Sequence, residues 1–197
     1  MIQGSLVAIV TPMQADGAVD AEAFRRLIDW HVDQGSDAIV AVGTTGESAT
    51  LDEEEHCEVL RRTVEFAAGR VPVVAGTGAN STAEAIRLTR CAREGGADAC
   101  LLVTPYYNKP TQEGLFQHFG RVAQETNLPI ILYNIPGRCG VEIAPATIAR
   151  LRKAFPSIVA VKHATGSMDE ASELIGACDI DVISGDDSMT IPLMSIG

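Results

Sequence analysis

The chain has 197 residues, of which 46% are hydrophobic, and this length is enough for one domain with a substantial core. Its 26 acidic and 15 basic residues give a net charge of −11, which argues against nucleic acid or an anionic membrane surface as a partner. No apolar run approaches the ~20 residues needed to span a bilayer, and no basic start with an apolar core marks a secretory signal. We therefore expect a cytoplasmic protein with one domain over residues 1–197.

Cysteine and histidine spacing argues against structural cross-links and metal centres. The five cysteines are odd in number and show no C-x-x-C spacing, so we expect reduced thiols and neither a disulfide framework nor a zinc knuckle. The four histidines lack H-E-x-x-H or similar ligand spacing, so we predict no metal.

Seven short apolar runs predict seven β-strands. Each run is apolar at successive positions, which is typical of strands that are covered on both faces of a parallel sheet. The runs are Ser5–Val10, Ala38–Val42, Pro72–Ala75, Ala99–Val103, Ile130–Tyr133, Ile158–Val161 and Asp181–Ser184.

The segments between these runs have helical periodicity and recognisable ends. Asp20 and Thr111 precede helical patterns as N-caps, Asp52 and Ser81 begin capping boxes, and Pro145 suits a first helical turn. A last helix follows the sixth run. Glycines expected at helix C-termini are Gly35, Gly69 and Gly95.

Polar residues at the carboxyl ends of many strands favour a barrel over a doubly wound sheet. A Rossmann-type sheet concentrates its chemistry at one switch point, whereas a (β/α)8 TIM barrel takes it from many strand ends. Here Thr44, Tyr107, Tyr133, Lys162 and Gly185 all follow or end predicted strands. The fold class is therefore α/β, a (β/α)8 TIM barrel with only seven strands, lacking strand 8 and the C-terminal helical region.

Lys162 is the strongest candidate for a nucleophile. It ends the apolar run Ile158–Val161, where desolvation would lower the pKa of its amine. Acting as a nucleophile near neutral pH requires a drop of ~3 units from ~10.4, which is about 4 kcal/mol. Such an amine can form a Schiff base with a ketone and so stabilise an enamine. The alternative is a strand-end lysine that reaches into solvent.

Other strand-end residues could serve the same chemistry. Thr44 and Thr45, between two glycines, could present hydroxyl and backbone N–H groups to a carboxylate, or the segment could be a tight turn. Tyr133 could relay protons and Arg138 could bind a carboxylate through two bonds. The alternative for these two is an interfacial tyrosine and a surface arginine.

Taken together, the motifs resemble the dihydrodipicolinate synthase family of the N-acetylneuraminate lyase superfamily. They occur in the family's order through nearly the whole chain and are jointly specific. The matching stretches are Gly4–Met13, Val42–Leu51, Ala75–Asn80, Val103–Pro110, Leu132–Arg138 and Val161–Gly166.

The resemblance implies condensation of pyruvate with L-aspartate 4-semialdehyde, in lysine and diaminopimelate biosynthesis, without a cofactor. Lys162 would form the Schiff base, and Tyr133 would be the general acid/base in a relay with Thr44 and Tyr107. The substrate-binding residues implied are Thr45, Arg138 and Gly185. The resemblance also implies a homotetramer, with Tyr107 supplied across a tight dimer contact.

The resemblance further implies a possible lysine-binding regulatory site. Its matching residues are Ser48, Ala49, His56, Asn80, Glu84 and Tyr106. Two departures concern single residues: Glu53 stands where inhibited members often carry histidine, and His163 stands where members usually carry glutamate. Strand alternation directs His163 away from Lys162, toward the outer layer.

Two alternatives to the synthase remain open. One is another pyruvate-dependent class I aldolase, such as an N-acetylneuraminate lyase, although Arg138 and the pairs Thr44–Thr45 and Tyr106–Tyr107 favour the synthase. The other is an inactive, truncated chain, because a closed barrel requires an eighth strand.

Overall fold

A computed structural model describes residues 3–197, which divide into two compact units. The first unit runs up to Thr77 and also includes Leu88–Leu101, and the second comprises Gly78–Arg87 and Leu102–Gly197.

The first unit is built from parallel strands that pair in chain order, with helices between them. Strand β1 pairs with β2, β2 with β3, and β3 with the start of β4. Its strands are β1 (Leu6–Ala8), β2 (Ala38–Ala41), β3 (Val73–Gly76) and β4 (Ala99–Val103), the last of which ends in the second unit. Its helices are α1 (Ala21–Asp33), α2 (Glu53–Ala67) and α3 (Thr82–Glu94), the last of which begins in the second unit.

The second unit continues the same alternation. Strand β6 pairs in parallel with β5 and with β7. These strands are β5 (Ile130–Asn134), β6 (Ile158–His163) and β7 (Asp181–Ser184). The helices are α4 (Gln112–Thr126), α5 (Pro136–Cys139), α6 (Pro145–Ala154), α7 (Met168–Ala177) and α8 (Thr190–Met194).

Burial explains why the strands read as continuous apolar runs. Every residue of β2, β3 and β5 is buried, as expected for parallel strands covered on both faces. In the first unit, Phe24 and Ile28 of α1 and Leu60 of α2 are almost fully buried, and each contributes roughly 1.5–3 kcal/mol. Burial of apolar side chains therefore stabilises both the strands and the helices of the first unit.

Most of the predicted helix starts are confirmed. Asp20 caps α1 by accepting from the Ala23 N–H at 2.9 Å, and Thr111 caps α4 by accepting from the Gly114 N–H at 3.1 Å. Asp52 and Glu55 form the predicted capping box of α2. Such a cap typically contributes about 1 kcal/mol.

The three glycines predicted at helix C-termini lie there, but they differ in backbone conformation. Gly35 and Gly69 have the left-handed backbone expected after a helix, whereas after α3 that conformation belongs to Gly96 (φ +90°) and not to Gly95. The Gly95 N–H bonds to the Cys91 carbonyl at 2.8 Å, so Gly95 closes the last turn of α3.

The thiols also depart from the expectation that all are reduced. Cys57 on α2 and Cys91 on α3 form a disulfide, with their Cα atoms 6.1 Å apart. Because this pairing depends on how the two helices pack, their separation of 34 positions in the sequence gives no sign of it.

Candidate active site

Lys162 lies beside Tyr133 on neighbouring strands of the second unit. The two residues are directly in register between β5 and β6, so their side chains leave the sheet on the same face. The Lys162 Nζ is 4.5 Å from the centre of the Tyr133 ring. The strand register therefore places an amine over a phenol ring, as the sequence pattern suggested.

The surroundings of Lys162 favour the uncharged amine. Burial lowers the pKa of Lys162, and the negative charge of Asp187 opposes that effect. The direction agrees with the expectation for a lysine at the end of a buried strand. Asp187 follows β7, which pairs with β6, and it was not predicted to act on Lys162.

Gly185 provides the space that the Lys162 side chain occupies. A Cβ atom on Gly185 would lie 3.1 Å from both Cγ and Cε of Lys162 and 2.9 Å from the Cβ of Ala164. These contacts are tighter than ordinary van der Waals distances. The absence of a side chain at position 185 therefore allows the lysine to extend past the end of β7.

Tyr133 is 6% exposed, and its phenol is held in the neutral form. Burial raises the pKa of Tyr133, the guanidinium of Arg138 lowers it, and Cys139 adds a smaller upward effect. A neutral phenol can donate its hydrogen to a substrate oxygen and later recover it. The position thus suits a proton donor beside the amine.

Arg138 lies on the short helix α5, and a buried asparagine fixes the segment that carries it. Asn134 is 2% exposed; its Nδ2 donates to the Ile143 carbonyl at 3.1 Å, and its Oδ1 accepts from the Ile143 N–H at 3.0 Å. These two bonds close the loop that contains α5. Asn134 was not predicted to have a role, although a polar residue at the end of an apolar strand was an available signal.

The loop with Thr44 and Thr45 lies in the first unit and is tightly turned. Both threonines are exposed, and the preceding Val42 is buried with a left-handed backbone (φ 52°). A Cβ atom on Gly76 would collide with the Val42 carbonyl, so only glycine fits at that position of β3. The loop therefore has a defined backbone, and the roles of Thr44 and Thr45 stay predictions.

Tyr107 is 90% exposed and has a left-handed backbone with φ 74°. Within this chain its phenol lies mostly in solvent. Its membership of a proton relay with Thr44 and Tyr133 stays a prediction.

The residues predicted to bind a regulatory lysine fall in both units. In the first unit, Ser48 and Ala49 lie on a 3-10 turn, and His56 is 3% exposed with its Nε2 donating to the Gly76 carbonyl at 2.8 Å. In the second unit, burial raises the pKa of Tyr106 and the charge of Glu84 raises it further, so these two side chains are neighbours. The Asn80 carbonyl accepts from Asn108 Nδ2 at 3.3 Å. Lysine binding stays a prediction.

Among the described residues, 3–197, no group of three or more histidine, cysteine, aspartate or glutamate side chains is arranged to hold a metal ion. The helices of that same part of the chain include none long and apolar enough to cross a membrane.

Comparison with known proteins identifies the family of this chain. The model of the dihydrodipicolinate synthetase family matches residues 1–197. The chain is 60% identical over 190 residues to 4-hydroxy-tetrahydrodipicolinate synthase of Methylococcus capsulatus, covering 95% of this chain and 65% of that protein. The chain thus spans about two thirds of the length of this curated relative.

Solved structures agree with the family model. The crystal structure of dihydrodipicolinate synthase from Aquifex aeolicus matches with a TM-score of 0.97 and 53% identity, over 99% of this chain and 67% of that one. The crystal structure of the chloride-inhibited dihydrodipicolinate synthase from Acinetobacter baumannii, in complex with pyruvate, also matches with a TM-score of 0.97 and 53% identity. This match covers 100% of this chain and 68% of that one. These likenesses confirm the predicted fold class, in which the chain carries seven strands of a (β/α)8 barrel. The chain belongs to the dihydrodipicolinate synthetase family.

Proposed function

We propose that the protein is a 4-hydroxy-tetrahydrodipicolinate synthase, a lyase that condenses pyruvate with L-aspartate 4-semialdehyde through a Schiff base on Lys162. The observation that carries the proposal is the Lys162 amine, with its pKa lowered by burial, 4.5 Å from the ring of a neutral Tyr133. Relatives named 4-hydroxy-tetrahydrodipicolinate synthase, at 60% and 56% identity, support the assignment as a synthase, and a 53% identical solved structure in complex with pyruvate supports that substrate.

The proposed mechanism assigns each bond to a group in the site. The Lys162 amine attacks the ketone carbon of pyruvate, and loss of water leaves an iminium. Removal of a methyl proton gives the enamine, whose carbon attacks the aldehyde of the semialdehyde. Tyr133 donates to the departing oxygen and to the new alkoxide and recovers its proton from the substrate. Attack by the substrate's amino group then closes the ring and releases Lys162.

In this proposal, two regions of the chain bind the carboxylates of the two substrates. Arg138 binds the carboxylate of the semialdehyde, because a guanidinium forms two parallel bonds to such a group. Thr45 and its loop bind the carboxylate of pyruvate. We also propose a homotetramer in which a second copy covers the exposed Tyr107 and brings its phenol to the relay with Thr44.

A comparison of substrates tests the proposed function against the sister aldolase. The intact protein is assayed with pyruvate plus aspartate semialdehyde, and separately for cleavage of N-acetylneuraminate. We expect turnover only in the first assay. Turnover of N-acetylneuraminate alone would favour a lyase of that type, and turnover in neither assay would favour an inactive chain.

The substitution Gly185→Ala is expected to lower kcat/KM for pyruvate roughly 10- to 100-fold, because displacement of a reacting group by about 1 Å can cost that much. The added methyl group would press on Cγ and Cε of Lys162 and on Ala164. Steady-state kinetics against pyruvate measures the effect. Gly176→Ala is the matched control, since a Cβ at this position of α7 would meet no described residue within 4 Å apart from its chain neighbours and its own helix backbone. An equal loss in both variants would count against the steric explanation.

The substitution Asp187→Asn is expected to move the acidic limb of the pH profile of kcat/KM to lower pH. The charge of Asp187 raises the pKa of Lys162, so its removal lets burial lower that pKa further. The uncharged amine is then available at a lower pH. Asp169→Asn, which removes an exposed carboxylate from the first turn of α7, should leave the limb unmoved. A shift of the acidic limb to higher pH in Asp187→Asn would contradict the effect assigned to Asp187 on the pKa of Lys162.

A further inference from the structure

His163 occupies the last position of β6, directly after Lys162, and is 4% exposed. The backbone here is held from both sides. The Ala164 N–H donates to the Asn134 carbonyl at 3.0 Å, and the Gly185 N–H donates to the His163 carbonyl at 2.8 Å. The strand that presents Lys162 is thus fixed to β5 and β7 up to this residue.

The His163 side chain ties the strand end to the start of α7. Its Nε2 is 3.0 Å from the Ser167 carbonyl oxygen and 3.0 Å from the Thr165 Oγ1. Because a carbonyl oxygen can only accept, Nε2 carries the hydrogen and donates it. This orientation, toward a helix and away from Lys162, is the one that strand alternation predicted.

Further bonds extend this connection into the helix. The Ser167 N–H donates to Thr165 Oγ1 at 3.2 Å, and Ser167 Oγ accepts from the Glu170 N–H at 3.2 Å as the cap of α7. Hydrogen bonds within residues 163–167 therefore close this turn. The bond from the His163 imidazole connects the turn to β6.

Two carboxylates, those of Glu142 and Glu170, lie close to this turn. Burial raises the pKa of Glu142, the negative charge of Glu170 raises it further, and the charge of His163 lowers it. Among the described residues, none forms a hydrogen bond with the buried Glu170 Oε2. A hydrogen-bond donor at position 163 therefore suits these acidic neighbours. A carboxylate at that position would lie close to the carboxylates of Glu142 and Glu170.

We propose that His163 is a positioning residue for Lys162. Its Nε2–H bond to Ser167 fixes the β6–α7 turn and thereby the direction in which the lysine leaves the strand. His163 is assigned no contact with substrate. The inference rests on the proposed function, because it concerns the amine that captures pyruvate.

The test measures how fast the intact protein forms its pyruvate adduct at saturating pyruvate, by quenching with borohydride at successive times. His163→Leu keeps a similar volume and removes the donor, and we expect it to slow adduct formation roughly 10- to 100-fold. His163→Gln retains an N–H that can reach the Ser167 carbonyl and should recover most of the rate. A purely structural role would lower the melting temperature in His163→Leu without changing this rate.

Two results would overturn the inference: a wild-type rate in His163→Leu, or a rate in His163→Gln as low as that in His163→Leu. The wild-type protein separates this inference from the proposed function. If the wild type forms no adduct, the proposed function fails. If the wild type forms the adduct and His163→Leu matches its rate, only the role of His163 fails.

Discussion

Replacing Lys162 with methionine is expected to abolish turnover of pyruvate and aspartate semialdehyde, with a loss of at least ~10³-fold as seen when other covalent nucleophiles are removed. Methionine fills a similar volume with an apolar chain, so it suits the half-buried position beside Tyr133 and past Gly185. What it lacks is the amine. The loss should therefore appear in kcat with the fold retained.

The control for this substitution is Lys153→Met. Lys153 is exposed in the last turn of α6, and its removal should leave kcat unchanged. Circular dichroism of both variants checks that the fold persists. Turnover by Lys162→Met above a small fraction of the wild-type rate would mean that the Schiff base forms elsewhere or not at all.

Replacing Tyr133 with phenylalanine is expected to lower kcat by roughly 10²- to 10⁴-fold, the usual contribution of a positioned proton donor. The change removes one hydroxyl and keeps the ring, so the aromatic face near the Lys162 Nζ is retained. The loss should therefore reflect proton transfer. Pre-steady-state measurements would place it in the steps that protonate oxygen.

A second hydroxyl deletion serves as the comparison. Thr63→Val removes a buried hydroxyl that donates to the Val59 carbonyl within α2, at 2.7 Å. We expect that variant to change thermal stability and to leave kcat intact. If Tyr133→Phe retained the wild-type kcat, the phenol would have no part in the chemistry.

Much of the secondary structure could be predicted because the signals are local. Buried parallel strands are apolar at every position, and the observed β4 and β7 have the predicted bounds. Side-chain caps such as Asp20 and Asp52 lie within three residues of the groups they bind. In contrast, α5 has only four residues, too few to show helical periodicity, and was not predicted.

The site was predictable in part for a geometric reason. Parallel strands end at the same edge of a sheet, so residues that follow successive strands, such as Tyr133 and Lys162, meet. The contact of Gly185 with Lys162 and the effect of Asp187 on the Lys162 pKa both join segments that are distant in sequence. A single sequence contains no local signal for such contacts, and the Cys57–Cys91 disulfide was not predicted for the same reason.

Trapping with borohydride in the presence of pyruvate tests the central claim most directly. The chain has three lysines, Lys109, Lys153 and Lys162, so peptide mass spectrometry can assign the adduct to one of them. We expect one reduced pyruvate per chain, located on Lys162 and absent when either pyruvate or borohydride is omitted. An unmodified Lys162, or an adduct confined to Lys109 or Lys153, would contradict the account.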